Sequence, residues 1–222
     1  MAHLETARSR ANTAQRRARI EHAARFVVAD GGFAAATVPA VAHAASCTTG
    51  VIDSCFDDRD ELLASVFAAA AGRELTVITE AVDACSTPEA VVGAVVDVFI
   101  RRAVAGRGLA YALLLEEVPE PIQAQRRALR RGFVSAISTA LMRCLGPEFP
   151  TELFARSLVG AVSENVVDLL DPARSTPNPL EVEWIVDRVS AFSRAALTAV
   201  PRDGALTVTP QASAGRPGMA AS

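Results

Sequence analysis

The sequence has no lysine: all 22 of its basic residues are arginines. That bias is the mark of a GC-rich coding sequence and says nothing of function. Aromatic residues are scarce too, at 5%, while alanine and valine abound. Such a chain packs helices closely through small side chains and cannot fill the aromatic core of a β-sandwich. No alternation of strand type runs longer than a few residues, and no internal repeat is present. The four cysteines (Cys47, Cys55, Cys85, Cys144) stand far apart with no CxxC pair, which argues against a zinc site and for free thiols in a reducing cytosol. The three histidines, His3, His22 and His43, all lie in the first fifth of the chain.

These absences narrow the functional classes. There is no glycine-rich phosphate loop, no HExxH or Glu-x-x-His metal pattern, and no serine or cysteine nucleophile motif with a histidine. An enzyme would have to work with carboxylates alone, so the expectation is a non-enzyme that needs no cofactor and no metal. Residues 31–52 carry no Asp, Glu or Arg, but Gly31, Gly32, Pro39, His43, Ser46 and three threonines interrupt the run. A membrane span is therefore rejected. With a polar, arginine-rich amino terminus in place of a signal peptide, the chain is expected to be soluble and cytoplasmic. The net charge of −3 excludes coating of nucleic acid by bulk charge. Residues 1–19 nevertheless hold Arg8, Arg10, Arg16, Arg17 and Arg19 against Glu5 alone. For residues 1–12 this reads equally as a flexible basic arm or as a solvated leader.

What the sequence does contain is helical periodicity. Ile20, Ala23, Ala24, Val27 and Val28 form one apolar stripe, predicting a first helix over 13–30 that stops at the "DGG" of 30–32. Thr37 caps a short helix over 38–44, and Thr48 caps a third that runs to about Cys55. Asp58 followed by Glu61 is a capping box opening the next helix, 58–82. Further helices are predicted to about Ala105 (starting at Ser86 or Thr87), over 109–117, 121–144, 151–170 and 179–199. The fold class is thus all-α with about nine helices, three short and then six mostly long. A tail from Pro201, rich in Gly, Pro, Ser, Thr and Ala, is expected to be disordered.

Several fixed spacings agree in the amino-terminal part. Ala23–Ala24, Gly32, Thr37–Val38, Val41–Ala42, Gly50, Ile52, Phe56, and Arg59 with Glu61–Leu62–Leu63 follow one another in the order and spacing seen in one family. On these residues the chain resembles the TetR family of bacterial transcriptional repressors, over positions 19–66. The resemblance implies a helix-turn-helix DNA-binding domain at 13–60 and a helical ligand-binding and dimerisation domain at 61–200. It further implies a homodimer on a near-palindromic double-stranded DNA operator, released by an unidentified small-molecule effector. Later segments ("GLAYALLLEE" and "SLVGAVSENVVDLL") match the family only in layout. Three departures stand out: Ser46 replaces the family's turn glycine, Cys47 its next valine, and Asp53 its phosphate-binding tyrosine.

In the third helix Ile52, Cys55 and Phe56 share a buried stripe, leaving Thr48, Thr49, Gly50, Val51, Asp53 and Ser54 to face the duplex. Thr37 completes this candidate surface, with Arg16, Arg17, Arg19 and Arg59 as phosphate contacts. Asp53 either repels the duplex or accepts from a cytosine amino group. His43 is a phosphate contact or a plain exposed residue. Candidate ligand residues in the second domain are Phe99, Tyr111, Leu114, Glu117, Phe133 and Glu164, though for the apolar ones core packing is the commoner use. Glu164 alternatively bonds across a dimer interface. Leu158, Val162, Val166, Trp184, Ile185 and Val189 lie on the apolar stripes of the last two helices, assigned here to a four-helix dimer interface. Arg127, Arg130 and Arg131 read as a solvated face, or as a second nucleic-acid surface. The alternative function is a helical interaction or ligand-sensing module whose DNA-reading head is weakened.

Overall fold

Short polar side chains and prolines decide where most helices begin. The computed structural model describes residues 2–200, with side chains from Arg10 onward; Arg8 and the tail at 201–222 lie outside what can be described. Thr37 accepts from the Ala40 N–H (3.3 Å) to start α2 (Val38–Ala44). Asp58 accepts from Glu61 N–H (2.8 Å) to start α4 (Arg59–Asp83). Thr87 and Asn178 do the same for α5 (Pro88–Ala105) and α10 (Pro179–Ala199). Proline occupies the first turn of α2, α5, α7 (Glu120–Leu145) and α10, where its missing N–H costs nothing. The remaining elements are α1 (Ala2–Ala35), α3 (Thr49–Asp53), α6 (Arg107–Leu114), α8 (Thr151–Asn165) and α9 (Val167–Leu170). No strand occurs among the described residues.

Ten helices appear where nine are expected, for a local reason. The stretch 151–170 breaks at Asn165, whose side-chain amide donates to the Ala161 carbonyl (2.9 Å). Such a bond competes with the helical ladder. The first helix also begins at Ala2, well before 13, so residues 2–12 continue a helix rather than forming a separate arm. Its far end obeys the glycine signal: Gly32 sits at φ 76°, ψ 179°, and only one further turn follows.

Two packed units share one continuous core. In the first, Ile20, Ala24 and Val28 of α1 close over Val41 of α2, Ile52 of α3, and Phe56. Each large side chain so buried contributes about 1.5–3 kcal/mol. The second unit is built on α4, which packs against α7, α5 and α1; α8 and α10 close its other side. Although α4 is long and apolar enough to cross a membrane, Leu62, Leu63, Val66, Phe67, Ile78 and Val82 are buried inside the bundle. Phe33 stacks on Phe67 (6.1 Å between rings) and joins the two units. The four cysteines are free and half-buried.

Candidate DNA-reading head and effector cavity

The turn between α2 and α3 puts Ser46 at φ 51°, the only non-glycine residue in the left-handed region among those described. That is why a glycine suits this turn, and why Ser46 is tolerated rather than favoured. A β-branched residue fits still less well: Ser46→Val should lower stability by about 1–2 kcal/mol, read by chemical denaturation. The turn presents α3 with Ile52 and Phe56 inward, Cys55 and Val51 half-buried, and Thr48, Thr49, Gly50, Asp53 and Ser54 exposed. Thr37 is exposed but spends its hydroxyl as the α2 cap. Ser54 likewise donates to the Val51 carbonyl (2.7 Å), within its own helix.

The four candidate phosphate arginines divide into two kinds. Arg16 and Arg19 are exposed on α1. Arg17 is engaged inside the protein: it donates to Glu21 (3.2 Å), to the Cys55 carbonyl (2.8 Å) and to Glu61 (2.8 Å), with its guanidinium over the Phe56 ring at 4.1 Å. It clamps α1 to the end of α3 and the start of α4. The Asp57 N–H, and secondly Arg17, hold the Glu61 carboxyl below its ordinary pKa. Arg59 is similarly committed, donating to the carbonyls of Ala36 (3.0 Å) and Phe33 (2.6 Å). Both therefore position the head instead of reaching outward as the sequence assignment had them. Their cationic heads face nearby carbonyls and carboxylates that a spacing argument cannot see.

The second unit encloses a cavity of about 260 Å³ between α1, α4, α5, α6 and α7. Of the candidate ligand residues, Phe99, Leu114 and Phe133 line it, the two phenylalanines meeting edge to face at 5.9 Å. Tyr111 lines a different, more polar cleft on the opposite side of α6, beside Asp30, Gly32 and Arg107. Glu117 and Glu164 are exposed and line neither, because the segment joining α6 to α7 and the end of α8 leave them in solvent. Arg25, Glu74 and Arg102 were not among the candidates but line the first cavity. A signal for Arg102 was present, since Phe99, Arg102, Ala103 and Gly106 recur at i, i+3, i+4 and i+7 on one face of α5.

Glu116, next to the candidate Glu117, holds the two units together. Its carboxylate accepts from the N–H groups of Phe33 (2.8 Å) and Ala34 (3.1 Å), immediately after the Gly32 break. Buried Arg126 of α7 donates to the carbonyls of Leu113 (2.7 Å), Ala112 (3.0 Å) and Glu116 (2.8 Å), fixing the end of α6. Burial, and then the charge of Arg130, lower the Arg126 pKa. The same helix that lines the cavity thus also grips the end of α1.

The stripe residues assigned to a dimer interface also divide. Leu158, Val162, Val166 and Val189 are buried within this single chain. α8 packs chiefly against α7 and α10 chiefly against α5, with a smaller contact between the two, so these residues build the protomer core. Ile185 is half-buried, and Trp184 is 61% exposed. Leu153, Leu180 and Phe192 stand exposed with it on α8 and α10. Arg127, Arg130 and Arg131 are exposed on α7.

No protein-family model matches the chain, and no curated protein matches it. Solved structures do. A TetR transcription regulator from Haloarcula marismortui superposes with a TM-score of 0.68 at 18% identity, over 82% of this chain and 98% of that one. The fatty acid degradation regulator FadR from Bacillus halodurans gives 0.67 at 21% identity, over 82% and 96%. A FadR regulator from Bacillus subtilis, solved in complex with stearoyl-CoA, gives 0.65 at 17% identity, over 79% and 96%. The fold is that of TetR-type transcriptional regulators.

Proposed function

We propose that this chain is a cytoplasmic, sequence-specific DNA-binding transcriptional regulator. It acts as a homodimeric repressor on a near-palindromic operator and is released when a small molecule enters the cavity of the second unit. The reading rests on one observation: α6 lines a largely apolar cavity with one face and grips the end of α1, through Gly108 and the Glu116 that follows the helix, with the other. A ligand that prefers one arrangement of α6 must then bias the orientation of the head, which is all that release requires. Thr48, Thr49, Gly50, Val51 and Asp53 supply small methyl, hydroxyl and carboxylate groups for base edges. Arg16 and Arg19 supply the phosphate contacts, a modest number that predicts a shallow dependence on salt. The cavity walls bring no set of titratable groups together for catalysis, so an enzyme is the weaker reading.

Selection of bound duplexes from a random pool, at low and at moderate salt, tests this. A shared palindromic sequence that survives moderate salt is the expected result; equal binding of all duplexes, or of none, favours the interaction module with a weakened head. The exposed Asp53 sharpens the test, because it makes no ion pair among the described residues. At about 6 Å in water a like charge costs about 0.7 kcal/mol, so two copies of Asp53→Asn should tighten operator binding about tenfold. Loss of preference at one base pair, with no gain in affinity, would instead make Asp53 a base-reading residue.

A further inference from the structure

The cavity's polar groups are few. Its lining has no hydroxyl, amide or imidazole side chain; the only polar side chains are Arg25, Glu74 and Arg102. Both oxygens of Glu74 are taken by Arg102, at 2.8 and 2.9 Å. Arg25 is left over. Its Nε–H is buried without an acceptor, and among the described residues it makes no hydrogen bond or ion pair. Glu21, one turn earlier on α1, is held by Arg17 and Ser65. Arg73 of α4 stands within electrostatic reach of Arg25: burial first, and the charge of Arg25 second, lower its pKa. A buried guanidinium donor with no partner is a net cost to the fold unless something arrives to satisfy it.

The rest of the space is hydrocarbon. Ile78, Phe99, Leu113, Leu129 and Phe133 surround it. A cavity of about 260 Å³ has room for a chain of several methylene groups. A ligand with polar atoms spread along its length would leave them unpaired against these walls. We propose that the cavity binds an amphipathic organic anion, a medium-length alkyl chain ending in one carboxylate, with that head on Arg25 and the chain lying along Phe99 and Phe133. This rests on reading the cavity as the effector site, and it narrows the effector to one chemical class.

Calorimetric titration of the full chain with decanoate, decan-1-ol and decanoyl-CoA, without DNA, tests it. Decanoate should bind at least about tenfold more tightly than decan-1-ol, the difference expected for one charge-assisted contact. Arg25→Gln should weaken decanoate by about tenfold and leave decan-1-ol unchanged, while Arg25→Lys, which keeps the charge, retains most of the affinity. Decanoyl-CoA, in which an uncharged thioester replaces the carboxylate, should bind more weakly than decanoate; tighter binding would overturn the carboxylate assignment. Equal affinity for decanoate and decan-1-ol, no binding by any of the three, or binding unaffected by Arg25→Gln would overturn the proposal. Because no DNA is present, a chain that binds decanoate but selects no operator fails only the regulatory reading, and a chain that selects an operator but binds none of the probes fails only this one.

Discussion

Trp184→Glu is expected to turn a dimer into a monomer and to remove specific DNA binding with it. Trp184 is 61% exposed on α10, Phe192 68% exposed two turns later, and Leu153 of α8 65% exposed. Soluble monomers rarely leave so many large apolar side chains on adjoining helices. Trp184, Arg188, Ala191, Phe192 and Ala195 recur at i, i+4, i+7, i+8 and i+11, one stripe facing away from the protomer core. Arg188 already lies over the Trp184 ring at 5.9 Å, so the indole face is partly organised before a partner arrives. A buried tryptophan at such an interface contributes about 2–4 kcal/mol, and two-fold symmetry places it twice. The introduced carboxylates would also need burial. Dimer affinity should therefore fall by about a thousandfold or more, seen as a shift to monomer mass in sedimentation at micromolar concentration. Operator affinity falls in step, since a single head reaches only one half-site. A variant that stays dimeric, or a wild-type chain that is already monomeric, sinks this interface. Leu158→Ala and Val162→Ala offer the contrast, because those side chains are in the core and their loss should unfold the protomer before it separates.

That contrast also marks how far the sequence could be read. Periodicity locates a helix and its apolar stripe, and it located nearly every helix. Stripe residues are buried somewhere, but a 3.6-residue period does not say whether against the same chain or a second copy. Leu158, Val162, Val166 and Val189 face inward, whereas Trp184 faces out. The head was legible because α2 and α3 are short and their caps, turn and buried stripe are all local. The roles of Arg17 and Arg59 were not, since Cys55, Glu61, Phe33 and Ala36 reach them only in three dimensions. Glu116 and Glu117 are indistinguishable by pattern, and one residue of rotation at the end of α6 decides between holding α1 and facing water.

The largest effect on the joint between the units should come from adding one methyl group at Gly108. A Cβ there would lie 1.8 Å from the Ala29 carbonyl oxygen of α1, which is backbone and cannot rotate aside. The ordinary approach of carbon to a carbonyl oxygen is about 3.3 Å, so α6 would have to withdraw by about 1.5 Å. Glu116 sits at the end of the same helix, and its bonds to Phe33 and Ala34 N–H, at 2.8 and 3.1 Å, have no room for that shift. Losing them removes one of the ties between the turn after Gly32 and the second unit, leaving the bonds from Arg59 of α4 to carry the joint alone with the Phe33–Phe67 stack. Overpacking of this kind costs about 3 kcal/mol, or about 6–12 °C in Tm for a chain of this length. Gly72→Ala is the matched control: the residue is mid-helix in α4 with nothing within 4 Å of the added carbon. It should instead gain about 0.5–1 kcal/mol from helix propensity. Below the melting temperature Gly108→Ala should also bind operator more weakly than Gly72→Ala does, because the head has lost its fixed angle to the dimer. Equal melting temperatures for the two variants would show that α6 does not dock on α1 through Gly108, and the route from cavity to head would then need another helix.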